Sequence, residues 1–158
     1  MTKISANNIL FDNTTLTNLD GTLTQIEGTD GKGSGIERRL SKTTGINALN
    51  PTLQVPLFEA TDHDYAITKA VVRLSSISNF SNEGSVSIGI SEPDLSEVYP
   101  ETKLEGLTST NRMFTFSSAL GSQTILAQGQ SIIFDIDQVY TADEATLEVD
   151  LFGYQISG

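Results

Sequence analysis

The stretch Ala145-Thr-Leu-Glu-Val-Asp-Leu-Phe-Gly-Tyr-Gln-Ile156 constrains this chain more than any other. Leu147, Val149 and Leu151 fall on one face of an extended backbone, and Glu148 and Asp150 fall on the other. That period of two is the signature of a half-buried β-strand. Beyond Leu151 the pattern flips, and Phe152, Tyr154 and Ile156 occupy the face that had carried the acids. Either a bulge at Gly153 restores the register, or the strand ends apolar on both faces and needs cover from outside its own sheet.

Other segments repeat the alternation. Ala70, Val72 and Leu74 alternate with Lys69, Val71 and Arg73, and Ile132, Phe134 and Ile136 stand against Asp135 and Asp137. The expected strands are Gln54–Ala60, Ile67–Leu74, Ser85–Ile90, Thr102–Leu107, Met113–Ser117, Ser131–Asp137 and Ala145–Ile156, with a short edge near Leu95–Tyr99. Asn82-Glu-Gly84, Glu92-Pro93, Gly121 and Gln128-Gly129 supply the turns between them. Short strands at this spacing, without long helical patterns between them, predict an all-β domain over residues 53–158. Its expected form is an antiparallel β-sandwich of the jelly-roll kind.

Residues 1–52 differ from the rest. They are rich in Asn, Thr, Gly and Ser and read as an extended N-terminal arm. Asn8-Ile-Leu-Phe-Asp-Asn13 is an apolar plug ending in a turn signal. Leu16, Leu19, Leu23 and Ile26 follow at spacings of three, four and three, which is a coiled-coil seam or one stripe of an amphipathic helix. Gly21 and several threonines weaken that helix, and so short a helix is marginal alone in water. It therefore needs a partner: other copies of the chain, or its own β-domain. Gly28-Thr-Asp-Gly-Lys-Gly-Ser-Gly35 is a flexible link, since Lys32 precedes the closing glycine and so misses the phosphate-loop spacing. Ile36 and Leu40, four apart, predict one further helical turn, which Gly45 and Pro51 end. Fully extended, fifty residues reach on the order of 165 Å, far enough to span neighbouring subunits of an assembly.

Charge and composition exclude several function classes. A net charge of −11 and a pI near 4.3 argue against binding nucleic acid and disfavour anionic membrane surfaces. No apolar run is long enough to cross a bilayer as a helix, and Met1–Asn8 lacks the apolar core of a secretory signal, so export by that route is not expected. Cysteine is absent, which removes disulfides, thiolate metal sites and a cysteine nucleophile. The single histidine, His63, lies between Asp62 and Asp64, but adjacent loop residues rarely converge on one centre. Glu92, Asp94 and Glu97 supply oxygen ligands without the spacing or central glycine of a calcium loop. No Gly-x-Ser-x-Gly elbow is present, and among twenty acids a glycosidase-like pair is easily imagined and therefore uninformative. Tryptophan is absent, which weakens a sugar-stacking platform, although Tyr65, Tyr99 and Tyr140 remain as contacts. Catalysis and cofactors are not expected.

Together, Ile67-Thr-Lys-Ala-Val-Val-Arg-Leu74, Ser85-Val-Ser-Ile-Gly-Ile90, Leu104-Glu-Gly-Leu107, Met113-Phe-Thr-Phe116 and Ala145–Tyr154 resemble a C-terminal β-domain of tailed-bacteriophage virion proteins. These include head-decoration (cement) proteins and tail-fibre parts. Ile9-Leu-Phe-Asp-Asn-Thr14 with Leu16 to Ile26 resembles the short segment that precedes trimeric fibre domains, although Gly21 and the glycine link interrupt a continuous coiled coil. The resemblance implies a homotrimeric decoration protein on the outer surface of the virion, made in the host cytoplasm. Its arm would tie neighbouring capsomers of the major capsid protein. On that reading Ile9, Leu10 and Phe11 are the capsid anchors. Leu16, Leu19, Leu23 and Ile26, with Phe152, Tyr154 and Ile156, are the subunit contacts. The same resemblance allows a tail-fibre tip that recognises host glycans, disfavoured by the short chain. A small carbohydrate-active enzyme is a third reading, from a different class.

Overall fold

The computed structural model describes residues 37–51, 54–90, 96–118 and 123–156. They form nine strands: β1 Arg38–Asn47, β2 Gln54–Glu59, β3 Tyr65–Ser78, β4 Ser85–Gly89, β5 Tyr99–Lys103, β6 Met113–Ser117, β7 Thr124–Leu126, β8 Ser131–Gln138 and β9 Glu144–Gln155. No helix occurs among the described residues. One sheet runs β1-β9-β3-β6, with β7 continuing the β6 edge along β3, and the other runs β2-β8-β4-β5. Every pairing is antiparallel.

The pairings nest. β4 pairs with β5, β3 with β6 and β7, β2 with β8, and β1 with β9, as if one long hairpin had been folded over itself. The two sheets meet across one core. Ile67, Val72, Leu147, Val149 and Leu151 from the first sheet face Val86, Ile88, Ile132, Phe134 and Ile136 from the second. These are the apolar halves of the alternating segments, and their removal from water is the dominant favourable term in a fold without disulfides. Tyr140 closes one end of the core, its buried hydroxyl donating to the Leu107 carbonyl at 3.0 Å.

Strand β9 is the centre of the first sheet, flanked by β1 and β3. Its alternation continues unbroken through Gly153, so Phe152 and Tyr154 share the outer face with Glu148 and Asp150. The irregularities lie instead in both neighbours. The register slips between Ile67 and Lys69 in β3, opposite Gly153 and Phe152, and between Arg39 and Ser41 in β1, opposite Phe152 and Leu151. The expected bulge is thus present at that level of the sheet but not in β9 itself.

Other expectations need correction. The segment expected to make a helical turn before Leu40 is strand from Arg38 onward, and β1 adds to the sandwich residues read as part of the arm. Gly45 does not end a helix; it sits at φ 73° within a second register slip of β1, between Thr43 and Ile46. A left-handed residue is what such a bulge requires, and glycine adopts it without strain. Thr102–Leu107 is strand only as far as Lys103, because Leu104 and Gly106 turn the chain and the Leu107 amide bonds back to the Leu104 carbonyl at 3.0 Å.

Candidate interaction face

The outer face of the first sheet is built around a buried carboxylate. Asp150, only 3% exposed, lies opposite Val71 in the middle of β9. Arg39 of β1 approaches its Oδ1 at 3.3 Å, and Arg73 of β3 donates to its Oδ2. One acid therefore ties together three strands. The guanidinium groups act as its cover, with hydrogen bonds that offset the cost of desolvating the charge. Next to it Lys42 pairs with Glu148 at 2.7 Å.

One rung along, the slip in β3 turns two successive side chains, Thr68 and Lys69, toward the same carboxylate. Thr68 Oγ1 and Lys69 Nζ each donate to Glu37 at 2.5 Å. Burial pushes the Glu37 carboxyl up, but the hydrogen bonds from Lys69 and Thr68 and the Lys69 charge outweigh it and hold the group below its ordinary value. The Lys69 ammonium also stands 4.7 Å from the centroid of the Phe152 ring, a cation–π contact between cross-strand neighbours. Glu37, Thr68, Lys69, Ser117, Ser118, Gln123 and Tyr154 line a shallow groove of about 510 Å³ on this face.

The opposite outer face, on the second sheet, is acidic. Ser85 Oγ and Gln138 Nε2 donate to Glu101 at 2.6 and 2.9 Å, and Ser87 Oγ donates to Asp137 at 3.1 Å. Those bonds hold the Glu101 carboxyl down. Asp137 moves the other way: burial raises its pKa, the Ser87 bond opposes this, and the nearby Asp135 charge adds to it.

Of the residues expected to bind partners, Phe152 and Tyr154 are half-buried on the first outer face. Ile156 follows β9, also half-buried, and its amide donates to the Asp64 carbonyl at 3.0 Å. Ile9, Leu10, Phe11, Leu16, Leu19, Leu23 and Ile26 lie outside the described residues, as do the glycine link, Glu92 and Asp94. Around His63 the acids diverge. Asp62 lies 3.6 Å from the imidazole and accepts from the Tyr65 hydroxyl, whereas Asp64 accepts from the Gln128 amide at 2.8 Å. Among the described residues no group of three His, Asp or Glu is placed to hold a metal ion.

Sequence reasoning did not single out Glu37, Arg39, Lys69, Arg73 or Asp150 as a unit. The available signal was the charge at outward positions of two long strands, Lys69 and Arg73 in one and Glu148 and Asp150 in the other. Their pairing follows only from a register joining positions 77 residues apart.

No protein-family model and no curated protein matches the chain. Among solved structures its fold is similar to a chain in the acidic stable capsid structure of Helicobacter pylori bacteriophage KHP30. The TM-score is 0.50 at 9% identity, and the likeness covers 77% of this chain and 93% of that one. At that identity the similarity is one of fold.

Proposed function

We propose that the chain is a non-catalytic structural protein of a phage virion, a decoration (cement) protein that trimerises on the outer surface of the head and ties capsomers through its arm. The observation that carries this is the likeness to a chain of a phage capsid structure, extending over 93% of that chain. The match thus takes in nearly the whole neighbour rather than one domain within a larger subunit. The strand orders β1-β9-β3-β6 and β2-β8-β4-β5, with nested pairings, support a jelly-roll winding for the sandwich.

On this reading the division of labour follows the chain. Ile9, Leu10 and Phe11 fasten the arm to the major capsid protein, while Leu16, Leu19, Leu23 and Ile26 form the seam between three copies. Phe152, Tyr154 and Ile156 add contacts between the sandwiches. Burial of apolar residues at capsomer junctions drives ordering of the arm on contact, and three arms per trimer give avidity.

The test uses purified heads lacking the protein, incubated with the full chain or with a chain lacking residues 1–27. The truncation leaves every described strand intact. The full chain is expected to cosediment with heads and the truncated chain to remain in the supernatant, with immunogold labelling on heads rather than tails. Equal cosedimentation of both chains removes the arm from the mechanism, and label confined to tails removes the head reading altogether.

A further inference from the structure

The edge strand β1 is made of two unlike halves. Its second half is held by the core. Ile46 is buried opposite Leu147, and Ala48 just beyond donates to the Ala145 carbonyl at 2.9 Å and accepts from the Tyr140 amide at 3.0 Å. The first half, Arg38 to Thr44 with Glu37 before it, has no such hold. Its inward positions, opposite Gly153, Leu151 and Val149, carry Arg38, Ser41 and Thr43. The Ser41 hydroxyl is buried and finds no hydrogen-bond partner among the described residues, which costs stability rather than adding it. Leu40, at the first register slip, is the one apolar side chain of this half, and it is only partly buried.

What ties this half down, besides the backbone ladder to β9, is polar and lies on the outer face. Glu37 meets Lys69, Arg39 meets Asp150 at 3.3 Å, and Lys42 meets Glu148 at 2.7 Å. Partly exposed pairs of this kind exchange readily with water and salt. Between the halves lies the second slip, at Gly45. Its φ of 73° and the empty space around it let the backbone change course there without displacing a neighbour.

We infer that residues 37–44 are an exchangeable segment, which in associated copies pairs with β9 of a second copy instead of its own. Release bares the β9 edge from Glu148 to Gly153, a row of backbone donors and acceptors that an added strand completes. The structure also fixes which strand fits. Glu148 and Asp150 stand where Lys42 and Arg39 meet them, and Lys69 stands where Glu37 meets it. The same segment of another copy therefore regains each contact, whereas any other occupant must reproduce that order of charges. Asp150 keeps Arg73 throughout, so its buried charge is never left unpaired. Exchange of an identical element is a low-cost route to association, because the closed and exchanged forms share their contacts and differ at one hinge. Their balance is set by chain concentration. This contact goes beyond the proposed head binding, since it requires no particle.

The absence of native cysteine allows the pairing to be read directly. Full-length chain carrying both Lys42→Cys and Glu148→Cys is treated with a short bis-maleimide over a range of concentrations, without heads. Both side chains are partly exposed, at 40% and 23%, and circular dichroism checks that the fold is kept. Glu37→Cys with Lys69→Cys reads the same exchange from β3 and replaces the first pair if that chain does not fold. In dilute solution the bridge is expected within one chain, which runs as a monomer on a denaturing gel. At high concentration it is expected between chains, with the intrachain product falling several-fold, because each β9 edge holds one segment. Copies that merely lie side by side would keep the intrachain bridge. Adding Gly45→Ala strains the closed bulge through the backbone alone, since nothing lies within 4 Å of the new methyl group, and should raise the interchain share several-fold at intermediate concentration. Intrachain bridging at every concentration from folded chains, or an interchain share that Gly45→Ala leaves unchanged, overturns the inference. Failure of head binding with interchain bridging retained counts against the virion reading alone.

Discussion

Gly153 passes so close to Ala66 that a Cβ built on it would lie 2.3 Å from the Ala66 carbonyl oxygen and 3.0 Å from Leu40 Cδ1. β3 slips register at this level, opposite Gly153 and Phe152, and β1 slips one residue along, opposite Phe152 and Leu151. A methyl group there must displace main chain rather than a flexible side-chain tip. Gly153→Ala is therefore expected to destabilise the fold by about 1–3 kcal/mol, the usual cost of overpacking. Urea unfolding would show a lower midpoint at an unchanged slope; an unchanged midpoint would mean that the strands do not meet this closely.

Asp150 is held by two arginines of unequal worth. The Arg39 side chain is 56% exposed and that of Arg73 35%, so Arg39 keeps more of its hydration. A double-mutant cycle should give the Asp150–Arg73 pair a coupling of about 1.5–3 kcal/mol, the range for hydrogen bonds to charged groups. The Asp150–Arg39 pair should give less than about 1 kcal/mol, as exposed pairs do. Equal couplings would show that both guanidinium groups are equally desolvated.

The strands that face the core could be read from the sequence because burial writes a period of two into side chains. Ile132, Phe134 and Ile136, or Leu147, Val149 and Leu151, have no other explanation, and Met113–Ser117 was expected with the bounds it has. β1 was illegible for the opposite reason. Ile46 is its one fully buried residue, and its place in the sheet rests largely on backbone bonding to β9, which leaves no mark on residue type. β7 is too short to show a period. Leu104 and Leu107 misled because a loop can also plug a core, and both are buried without being strand. The candidate face was legible only in part. The flip puts Phe152 and Tyr154 on the same side of β9 as Glu148 and Asp150, but the Glu37, Lys69 and Arg73 contacts on that side arise from register, which outward polar positions do not encode.

Glu37 anchors the start of β1 to the β3 bulge, and its contribution depends on pH with a definite sign. Burial raises its pKa, but the bonds from Lys69 and Thr68 and the Lys69 charge lower it further, so the folded value lies below the ordinary 4.5. A carboxylate depressed in the folded state stabilises fully above its unfolded value and loses that stabilisation as pH falls through the folded one. Glu37→Gln should therefore be less stable than the natural chain at pH 7, with the difference shrinking progressively below pH 4.5. Guanidinium unfolding of both proteins between neutral and acidic pH measures this. A difference that grows on acidification would contradict the assigned bonding.

Asp137 on the opposite sheet should behave in the reverse sense. Burial raises its carboxyl above the ordinary 3.8, the Ser87 bond only partly offsets this, and the Asp135 and Glu101 charges push it further up. A folded-state pKa above the unfolded one favours folding at low pH, and that advantage is lost as pH rises through the folded value. At neutral pH the ionised Asp137 thus works against the fold. Asp137→Asn keeps an oxygen for the Ser87 hydroxyl, at 3.1 Å in the natural chain, and removes the charge. The substitution is expected to raise the unfolding midpoint at pH 7 and to lose its advantage below the ordinary value of 3.8. Parallel urea titrations at the two pH values measure it. A neutral-pH loss of stability on making this substitution would mean that the carboxylate's charge is satisfied by a partner on that face, and would reverse the electrostatic description of the second sheet.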